Sequence, residues 1–191
     1  MAQRFVRALI IAALGGVMGV AAIELAAQGV PAVKSPNGIA LSEFKEYDAW
    51  QVIAPSQPDN PGGCGAAKDG CIKTILGNPT MIRAYKDGFA ASGTPVPDGA
   101  AMAKVEWHRD HVASPYGVSV PGALADVSIM VKDSKRFPQT NGWGYATFLY
   151  DQELHSFKPS TDDPSVMRTS CHSCHTRVKA QDYVFTRYAP R

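Results

Sequence analysis

A cluster of two cysteines and a histidine near the end of the chain constrains both its chemistry and its fold. Cys171 and Cys174 are separated by two residues, and His175 follows directly. This C-x-x-C-H spacing is typical of covalent haem attachment, since two thiols on about one helical turn reach the two vinyl groups of one porphyrin. The next residue then holds an imidazole over the iron. The pattern predicts one haem c per chain, attached covalently through Cys171 and Cys174, with His175 as the axial iron ligand.

Two other kinds of cysteine site are compatible with parts of this pattern. A zinc site would use all four cysteines of the chain, and a thioredoxin-like redox pair would use the last two. Neither alternative gives His175 a role, and the redox pair also needs a βαβ context that the sequence lacks. His172 occupies a variable position of the pattern, and we expect its side chain to be exposed.

The late position of the pattern argues against the best-known small cytochromes. Residues 176–191 contain neither methionine nor histidine, so they offer no second axial ligand for an electron-transfer haem. A four-helix bundle of the cytochrome c′ type also binds its haem late, but its long amphipathic helices do not suit a chain with 17 Gly and 14 Pro. His108 and His111 lie in a polar stretch, where exposure is commoner than iron ligation. A vacant sixth position on the iron is therefore expected.

The N-terminus has the pattern of a secretory signal. Arg4 and Arg7 precede an apolar run over residues 8–27 that only Glu24 interrupts. Residues 30–32 then offer small side chains suited to cleavage by signal peptidase. The apolar run is long enough to span a bilayer, so an uncleaved membrane anchor is the alternative, against which the charge of Glu24 argues.

Export would separate a signal peptide from a mature domain and would place that domain outside the cytoplasm. We expect a signal peptide over residues 1–32 and one haem domain over residues 33–191, a length that suits a single core. The mature protein is then periplasmic, or membrane-anchored if the signal is not removed. Charged residues make up 19% of the chain and its net charge is only +2, so the sequence predicts no basic surface for nucleic acid.

Cys64 and Cys71 enclose a short glycine-rich loop. Neither belongs to a C-x-x-C-H group, so they do not predict a second haem. In an oxidising compartment they most simply form a disulfide, which stabilises a protein by about 2–3 kcal/mol by restricting the unfolded chain.

Helix start and stop signals occur in three places. Asn78 is suited to cap a helix that Pro79 begins and Gly88 ends. A short helix is expected to start at Ser42. The haem-bearing helix near the C-terminus is expected to start at residues 163–164 and to run toward the attachment cysteines.

Three stretches in the second half of the chain predict β-strands. Residues 126–132 have the two-residue period of a strand, and residues 143–150 are another such stretch. Residues 101–108 are short and partly apolar, which favours an extended segment. Residues 50–54 are a further candidate, which Pro55 is expected to end. No long crossover helix separates the strands, which favours antiparallel pairing. The predicted fold class is α+β, mainly an antiparallel β-sheet with flanking helices and a haem-bearing helix near the C-terminus.

Several short blocks of sequence, in a fixed order, point to one family. They are Ile-Leu-Gly-Asn at 75–78, Pro-Val-Pro-Asp-Gly at 95–99, Ala-Lys-Val-Glu-Trp at 103–107, Met-Val-Lys-Asp-Ser-Lys-Arg-Phe at 130–137, Gly-Trp-Gly-Tyr at 142–145 and the late C-x-x-C-H. Together they resemble the cytochrome P-460 family over about residues 50–188, nearly the whole mature chain. The resemblance implies a largely antiparallel β fold with flanking helices, a homodimer, and a five-coordinate haem whose open side receives small nitrogen compounds.

The resemblance also implies roles for individual residues. In enzymes of this family a lysine is joined covalently to a porphyrin meso carbon, and Lys104 matches that lysine's block in order and in approximate distance from the haem motif. A solvated strand lysine is the alternative reading. Glu106 and Asp126 are candidates for the distal acid or base. The family's distal acid falls near Ser128 or Met130, where this chain has no carboxylate.

Two further placements are expected around the cofactor. Lys73 or Arg83 could contact a haem propionate or the distal site, although surface charge is the commoner fate of such residues. The sheet face that carries Met130 and Phe148 is expected to contact the haem.

Three functions are compatible with the sequence. The first is a haem-dependent hydroxylamine oxidoreductase that passes electrons to a periplasmic electron-transfer protein. The second is non-catalytic binding of nitric oxide or carbon monoxide, as in the related cytochrome c′-beta. The third is plain electron transfer, which requires a sixth ligand from methionine or histidine. A lysine cross-link, a five-coordinate spectrum and a low-spin spectrum, respectively, distinguish the three.

Overall fold

The computed structural model describes residues 32–59, 61–64, 69–112 and 115–189. The expected signal peptide, residues 1–32, falls outside these ranges except for its last residue, so its cleavage stays a prediction. Within the described ranges, no helix is both long and apolar enough to cross a bilayer.

The described residues form one antiparallel sheet in which each strand pairs with its neighbours in sequence. The strands are β1 Gln51–Ser56, β2 Cys71–Gly77, β3 Ala101–Val112, β4 Val118–Lys132, β5 Trp143–Asp151 and β6 Ser156–Pro159. The three strands expected in the second half of the chain correspond to β3, β4 and β5. Together with the helices at either end, the sheet confirms the predicted α+β class.

Pro55 was expected to end the first strand, and this expectation is wrong. Strand β1 continues through Ser56, with Pro55 opposite Thr74 of β2. The reason is that β1 is an edge strand, where the missing N–H of proline removes no hydrogen bond from the interior of the sheet.

The helices are short and only partly as predicted. Helix α1 is Pro79–Lys86, and the Asn78 side chain accepts a hydrogen bond from the Met81 backbone N–H at 2.9 Å, which confirms the predicted cap. Gly88 adopts a positive φ of 76° and ends this helix, and α2 is Phe89–Ser92. In place of the helix expected at Ser42, there are two 3₁₀ turns, Leu41–Phe44 and Tyr47–Ala49.

The motif helix, defined as residues 167–181, changes its winding along its length. It starts as a π-helix, Met167–His172, continues as α3, Ser173–His175, and ends in the 3₁₀ helix Thr176–Gln181. The start expected at residues 163–164 lies three to four residues before Met167, where the helix begins. The Asp163 carboxylate accepts a hydrogen bond from the Ser165 backbone N–H in the turn that leads into the helix.

The sheet buries both of its faces, since successive side chains of a strand point to opposite sides. Met130 and Tyr145 belong to a buried cluster that includes residues of α1 and of the motif helix. We call this side the motif face. Ile129 and Phe148 lie on the opposite face, in a second cluster with Ile39 of the N-terminal segment.

The expectation that Met130 and Phe148 share one face is therefore wrong. Met130 pairs with Tyr145 and Phe148 pairs with Val127, and paired residues project to the same side of a sheet. Positions 127 and 130 on β4 differ by an odd number, so their side chains point in opposite directions. Met130 alone of the expected pair faces the motif helix.

The expected disulfide is present. Cys64 and Cys71 are bonded, with their Cα atoms 5.4 Å apart, and the bond ties a short 3₁₀ turn, Pro61–Cys64, to the first residue of β2. The loop lies beside β3, since Cys71 pairs with His108.

Candidate functional site

The motif helix brings its cysteines and histidine to one cavity of about 390 Å³ between the helix and the motif face. Cys171 and Cys174 are free thiols, unlike the other two cysteines. The cavity is lined by Ile75, Met102, Lys104, Ser128, Met130, Tyr145 and Thr147 from the sheet, by Cys171, Cys174 and His175 from the helix, and by Phe185 and Thr186 from the tail, among others. A larger hollow of about 480 Å³ beside Trp143 has neither cysteine nor histidine among its described lining residues. The smaller cavity is therefore the candidate site, because the cysteines and the histidine line it.

His175 is oriented by a backbone carbonyl. Its Nδ1 atom lies 2.6 Å from the carbonyl oxygen of Tyr183, a distance at which the Nδ1–H group donates a hydrogen bond. The Tyr145 and Phe185 rings flank the imidazole, each with its centroid 5.0 Å away. A histidine that donates from Nδ1 keeps the lone pair of Nε2 for a metal.

The surroundings of His175 favour its neutral form. Burial lowers the pKa of His175, and the hydrogen bond to Tyr183, which acts in the opposite direction, does not overcome this effect. Neutral imidazole is the form that binds metals. The nearby Cys171 thiol is half-buried, and burial raises its pKa, so this thiol is held in its protonated form.

His172 is buried, contrary to the expectation of an exposed side chain. Its exposed fraction is 8%, its Nδ1 atom lies 3.2 Å from the Tyr145 hydroxyl, and its ring stacks on Tyr183 with centroids 4.9 Å apart. The C-x-x-C-H pattern does not specify which way its variable positions point. Here the helix directs this position toward β5 and the tail, where it packs against aromatic rings.

Lys104 lies on the cavity wall, on β3. Its side chain is 32% exposed, and its Nζ atom is 3.2 Å from Glu106 Oε2 and 3.7 Å from Asp126 Oδ1. Lys104 also borders a neighbouring hollow of about 670 Å³, in which Glu106 and Asp126 are lining residues. Neither carboxylate is among the residues that line the cavity.

Four charged side chains form a continuous row across three strands of the motif face. The charged row consists of Lys73 on β2, Lys104 and Glu106 on β3, and Asp126 on β4. Glu106 is only 4% exposed and accepts contacts from Lys73 at 3.0 Å and from Lys104. The row places charge of both signs beside the cavity in a partly dry environment, where electrostatic interactions are stronger than in water.

Asp126 is the titratable end of this row. Burial raises the pKa of Asp126, and the attraction of Lys104 opposes this effect without cancelling it. The carboxylate accepts a hydrogen bond from the Ser128 hydroxyl at 3.0 Å, and Ser128 in turn lies 3.0 Å from the Thr147 hydroxyl. Because both hydroxyls line the cavity, they connect it to Asp126.

Comparison with known families identifies the architecture around this cavity. The model of the family described as Cytochrome P460 matches residues 44–186. The chain belongs to the cytochrome P460 family. No curated protein matches the chain closely enough to count as a relative. The family match confirms the resemblance that the sequence blocks suggested.

Membership in the cytochrome P460 family makes this protein a haem-binding cytochrome, and the residues of the cavity fit that cofactor. Two free thiols and an imidazole with an available Nε2 atom lie on one side. Met102 and Met130 are buried and supply apolar surface on the other side. Apolar walls with a few placed polar groups are typical of cofactor sites.

The remaining expected residues lie outside the cavity wall of this P460 cytochrome. His108 and His111 are exposed on β3. Arg83 is exposed on α1, beside a different hollow. Lys73 pairs with Glu106 in the charged row and also donates to the Gly63 carbonyl of the disulfide loop.

Three contributors to the site are not evident from the sequence. Ser128 was expected only as a position near the family's distal acid, and Thr147 is an ordinary strand residue. Their position on the same strand face as Met130 and Tyr145 is the signal that could have indicated two cavity-lining hydroxyls. The Tyr183 carbonyl is a backbone group and leaves no trace in the side-chain pattern. Its position depends on how the tail folds back over the motif helix.

Proposed function

We propose that this chain is an exported c-type cytochrome with one haem attached covalently through Cys171 and Cys174 and ligated by His175. The observation that carries the proposal is the grouping of these three side chains on one helix beside a single cavity. The hydrogen bond from His175 Nδ1 to the Tyr183 carbonyl supports the ligand role, since it leaves Nε2 for the iron.

Haem staining after denaturing electrophoresis tests the attachment. Protein matured in a host competent for cytochrome c assembly should keep its haem through denaturation, and C171S/C174S should lose it. The matched control is C64S/C71S, which removes two cysteines outside the cavity and should keep the haem. Colourless wild-type protein whose last two thiols still react with an alkylating reagent would contradict the proposal.

We further infer that the site binds and oxidises small nitrogen compounds, with hydroxylamine as the first candidate substrate. Haem held by His175 would supply an iron that can bind a nitrogen donor and take up electrons. The chain supplies the groups that move protons. Oxidation of hydroxylamine releases protons, and the Ser128 hydroxyl on the cavity wall is placed to pass one to Asp126 Oδ1.

Asp126 is suited to this task by its surroundings. Burial raises the pKa of Asp126, which brings it closer to the working pH at which a general base is most effective. From Asp126 the proton can leave through the solvent-open hollow that this carboxylate lines. Lys104 Nζ lies 3.7 Å from Asp126 Oδ1, and it compensates the charge of the ionised carboxylate only in protein whose Lys104 is not joined to the porphyrin.

Lys104 is the residue proposed to carry the family's cross-link to the porphyrin. Its place on the cavity wall supports this role. Peptide mass spectrometry after proteolysis tests it, because a cross-linked haem holds the Lys104 peptide and the Cys171 peptide together. Separate recovery of the two peptides from active protein contradicts the cross-link.

One observation favours the non-catalytic alternative, in which the site binds nitric oxide or carbon monoxide as in cytochrome c′-beta. The Lys104 ammonium is engaged by Glu106 and Asp126, and neither carboxylate lines the cavity. Absorption spectra separate the alternatives. A shifted spectrum with hydroxylamine turnover supports the enzyme, whereas an ordinary five-coordinate spectrum without turnover supports the binding protein. A low-spin spectrum supports electron transfer.

The partners and the location belong to the same proposal. We propose that the mature protein is periplasmic, forms a homodimer and passes electrons to a periplasmic electron-transfer protein. Fractionation of cells that express the full chain tests export, and light scattering during size-exclusion chromatography measures the mass in solution. Recovery of full-length protein in the membrane fraction would instead indicate that residues 1–32 act as an anchor.

A further inference from the structure

The turn that follows the motif helix has an unusual backbone. Asp182 and Tyr183 are consecutive non-glycine residues with φ angles of 44° and 66°. Side chains other than glycine rarely adopt this left-handed region, and two such residues in succession persist only when their surroundings hold them. The Tyr183 carbonyl in this turn is the group that accepts the hydrogen bond from His175.

A buried ion pair holds the turn. Lys132 Nζ lies 2.9 Å and 3.1 Å from the two carboxylate oxygens of Asp182, and the two side chains are only 7% and 14% exposed. The same ammonium donates to the Asn141 carbonyl at 3.0 Å and lies 4.9 Å from the centre of the Trp143 ring. Asp182 also accepts a hydrogen bond from the Val96 backbone at 2.8 Å.

These contacts link the sheet to His175 through two neighbouring residues of the turn, Asp182 and Tyr183. Lys132 is the last residue of β4 and is therefore fixed by the sheet. It fixes Asp182, and the carbonyl of the next residue contacts His175. A buried ion pair adds little to stability compared with an apolar pair of similar size. We therefore expect this pair to position the turn rather than to stabilise the fold.

We propose that the Lys132–Asp182 ion pair is a positioning element that fixes the Tyr183 carbonyl on His175 Nδ1 and thereby sets the donor strength of His175 toward the iron. The inference rests on the proposed role of His175 as axial ligand. A strong hydrogen bond from Nδ1 makes the imidazole a better donor, and groups that orient a ligating histidine tune the bound metal.

Two substitutions remove the pair with little change of shape. K132M keeps the apolar stem and removes the ammonium. D182N removes the charge while keeping a residue that tolerates the left-handed conformation better than most. The double variant K132M/D182N removes both charges, so the net charge near the haem does not change.

The readout is the iron–histidine stretching frequency of the ferrous protein, measured by resonance Raman spectroscopy. Both single variants should lower this frequency, because each releases the Tyr183 carbonyl. The double variant should lower it by about as much as either single variant, since one positioning element is lost in all three. K158M is the matched control, because it removes a lysine from an exposed ion pair with Asp151 on the β5–β6 hairpin and should leave the frequency unchanged.

The reduction potential of the haem distinguishes the positioning of His175 from the direct electrostatic effect of the Lys132 and Asp182 charges. Through-space electrostatics predicts opposite changes for the two single variants, because one loses a positive charge and the other a negative charge, and predicts almost no change for the double variant. Weaker donation from His175 stabilises the ferric state less and predicts a higher potential in the double variant. An unchanged frequency and potential in the double variant would overturn the proposal.

Loss of folding in these variants would still leave a decisive comparison. K132R and D182E keep both charges but alter the geometry of the pair, so they should fold and lower the iron–histidine frequency by a smaller amount. Wild-type values in both of these variants would count against the proposal. A wild-type protein with no iron–histidine band would overturn the axial role of His175 itself, which is a different failure from a band that is present and does not shift.

Discussion

The Lys104 ammonium lies 3.2 Å from the carboxylate of Glu106, two residues further along the same strand. Strand alternation places both side chains on the motif face, yet Lys104 lines the cavity and Glu106 lines the hollow beside it. The Lys104–Glu106 ion pair therefore lies at the boundary between the cavity and the hollow. Movement of Lys104 toward a cofactor would break this contact and leave Glu106 with Lys73, its other partner.

Replacement of Lys104 by methionine should separate catalysis from haem attachment. K104M removes the group proposed to modify the cofactor, so hydroxylamine oxidation should fall by roughly 10–100-fold, the range typical when a residue that tunes a metal site is lost. Haem should remain attached through the two cysteines. Turnover with an artificial electron acceptor and haem-stained gels measure the two properties. K45M is the matched control, because Lys45 is exposed and is not a lining residue of the cavity or of the hollow beside it. Equal turnover in K104M and K45M would contradict a role for Lys104.

Glu106 should matter for stability, because its removal leaves buried positive charge. E106Q deprives Lys73 of its partner, and the Lys73 side chain is only 12% exposed. Loss of one member of a buried pair typically costs 3–5 kcal/mol, and the partial exposure of Lys104 should bring the loss to about 3 kcal/mol. The double variant K73M/E106L, which removes both charges, should recover most of this loss. Urea unfolding measures these differences, and an E106Q protein as stable as the wild type would exclude a strong buried pair.

The regular elements with strong local signals could be predicted from the sequence. Residues 126–132 alternate strictly, and they lie within β4. Asn78 and Pro79 together indicate a helix start, and α1 begins there. Strand β2 was missed because it follows a cysteine loop and has no clean alternation. Strand β6 was missed because it is only four residues long.

The site could be predicted only where its groups lie close together in sequence. The C-x-x-C-H pattern indicates Cys171, Cys174 and His175 because the spacing itself encodes the chemistry. The relation of Asp126 to the cavity depends on the register of β4 against β3 and on a bridging serine, neither of which a local pattern contains. The Tyr183 carbonyl depends on a turn held by Lys132, which is distant in sequence.

The disulfide should stabilise the domain without contributing to haem attachment. The bond closes a loop with a sequence separation of 7, for which the chain-entropy relation gives about 2.5 kcal/mol. C64S/C71S should therefore lose about this much stability in urea unfolding. The loop also accepts a hydrogen bond from Lys73, so its release should loosen that end of the charged row. A variant as stable as the wild type would show that the loop is already ordered without the bond.

Asp126 should impose a pH dependence on stability whose sign follows from its burial. Burial raises the folded-state pKa of Asp126 above its ordinary value of 3.8, so between these two pKa values the folded protein binds more protons than the unfolded chain. Stability then falls as pH rises through that window and becomes constant above the folded-state pKa.

D126N isolates this contribution, because asparagine resembles the protonated carboxyl and does not titrate. The wild type should become less stable relative to D126N as pH rises from about 3.5 toward 7, since groups that do not interact with Asp126 contribute equally to both proteins. Urea unfolding at a series of pH values measures it. S128A is the matched control, because it removes the hydrogen bond that Asp126 accepts but keeps the carboxylate, and it should retain the pH dependence. A difference that instead grows in favour of the wild type with rising pH would mean that Lys104 stabilises the ionised carboxylate more than burial opposes it.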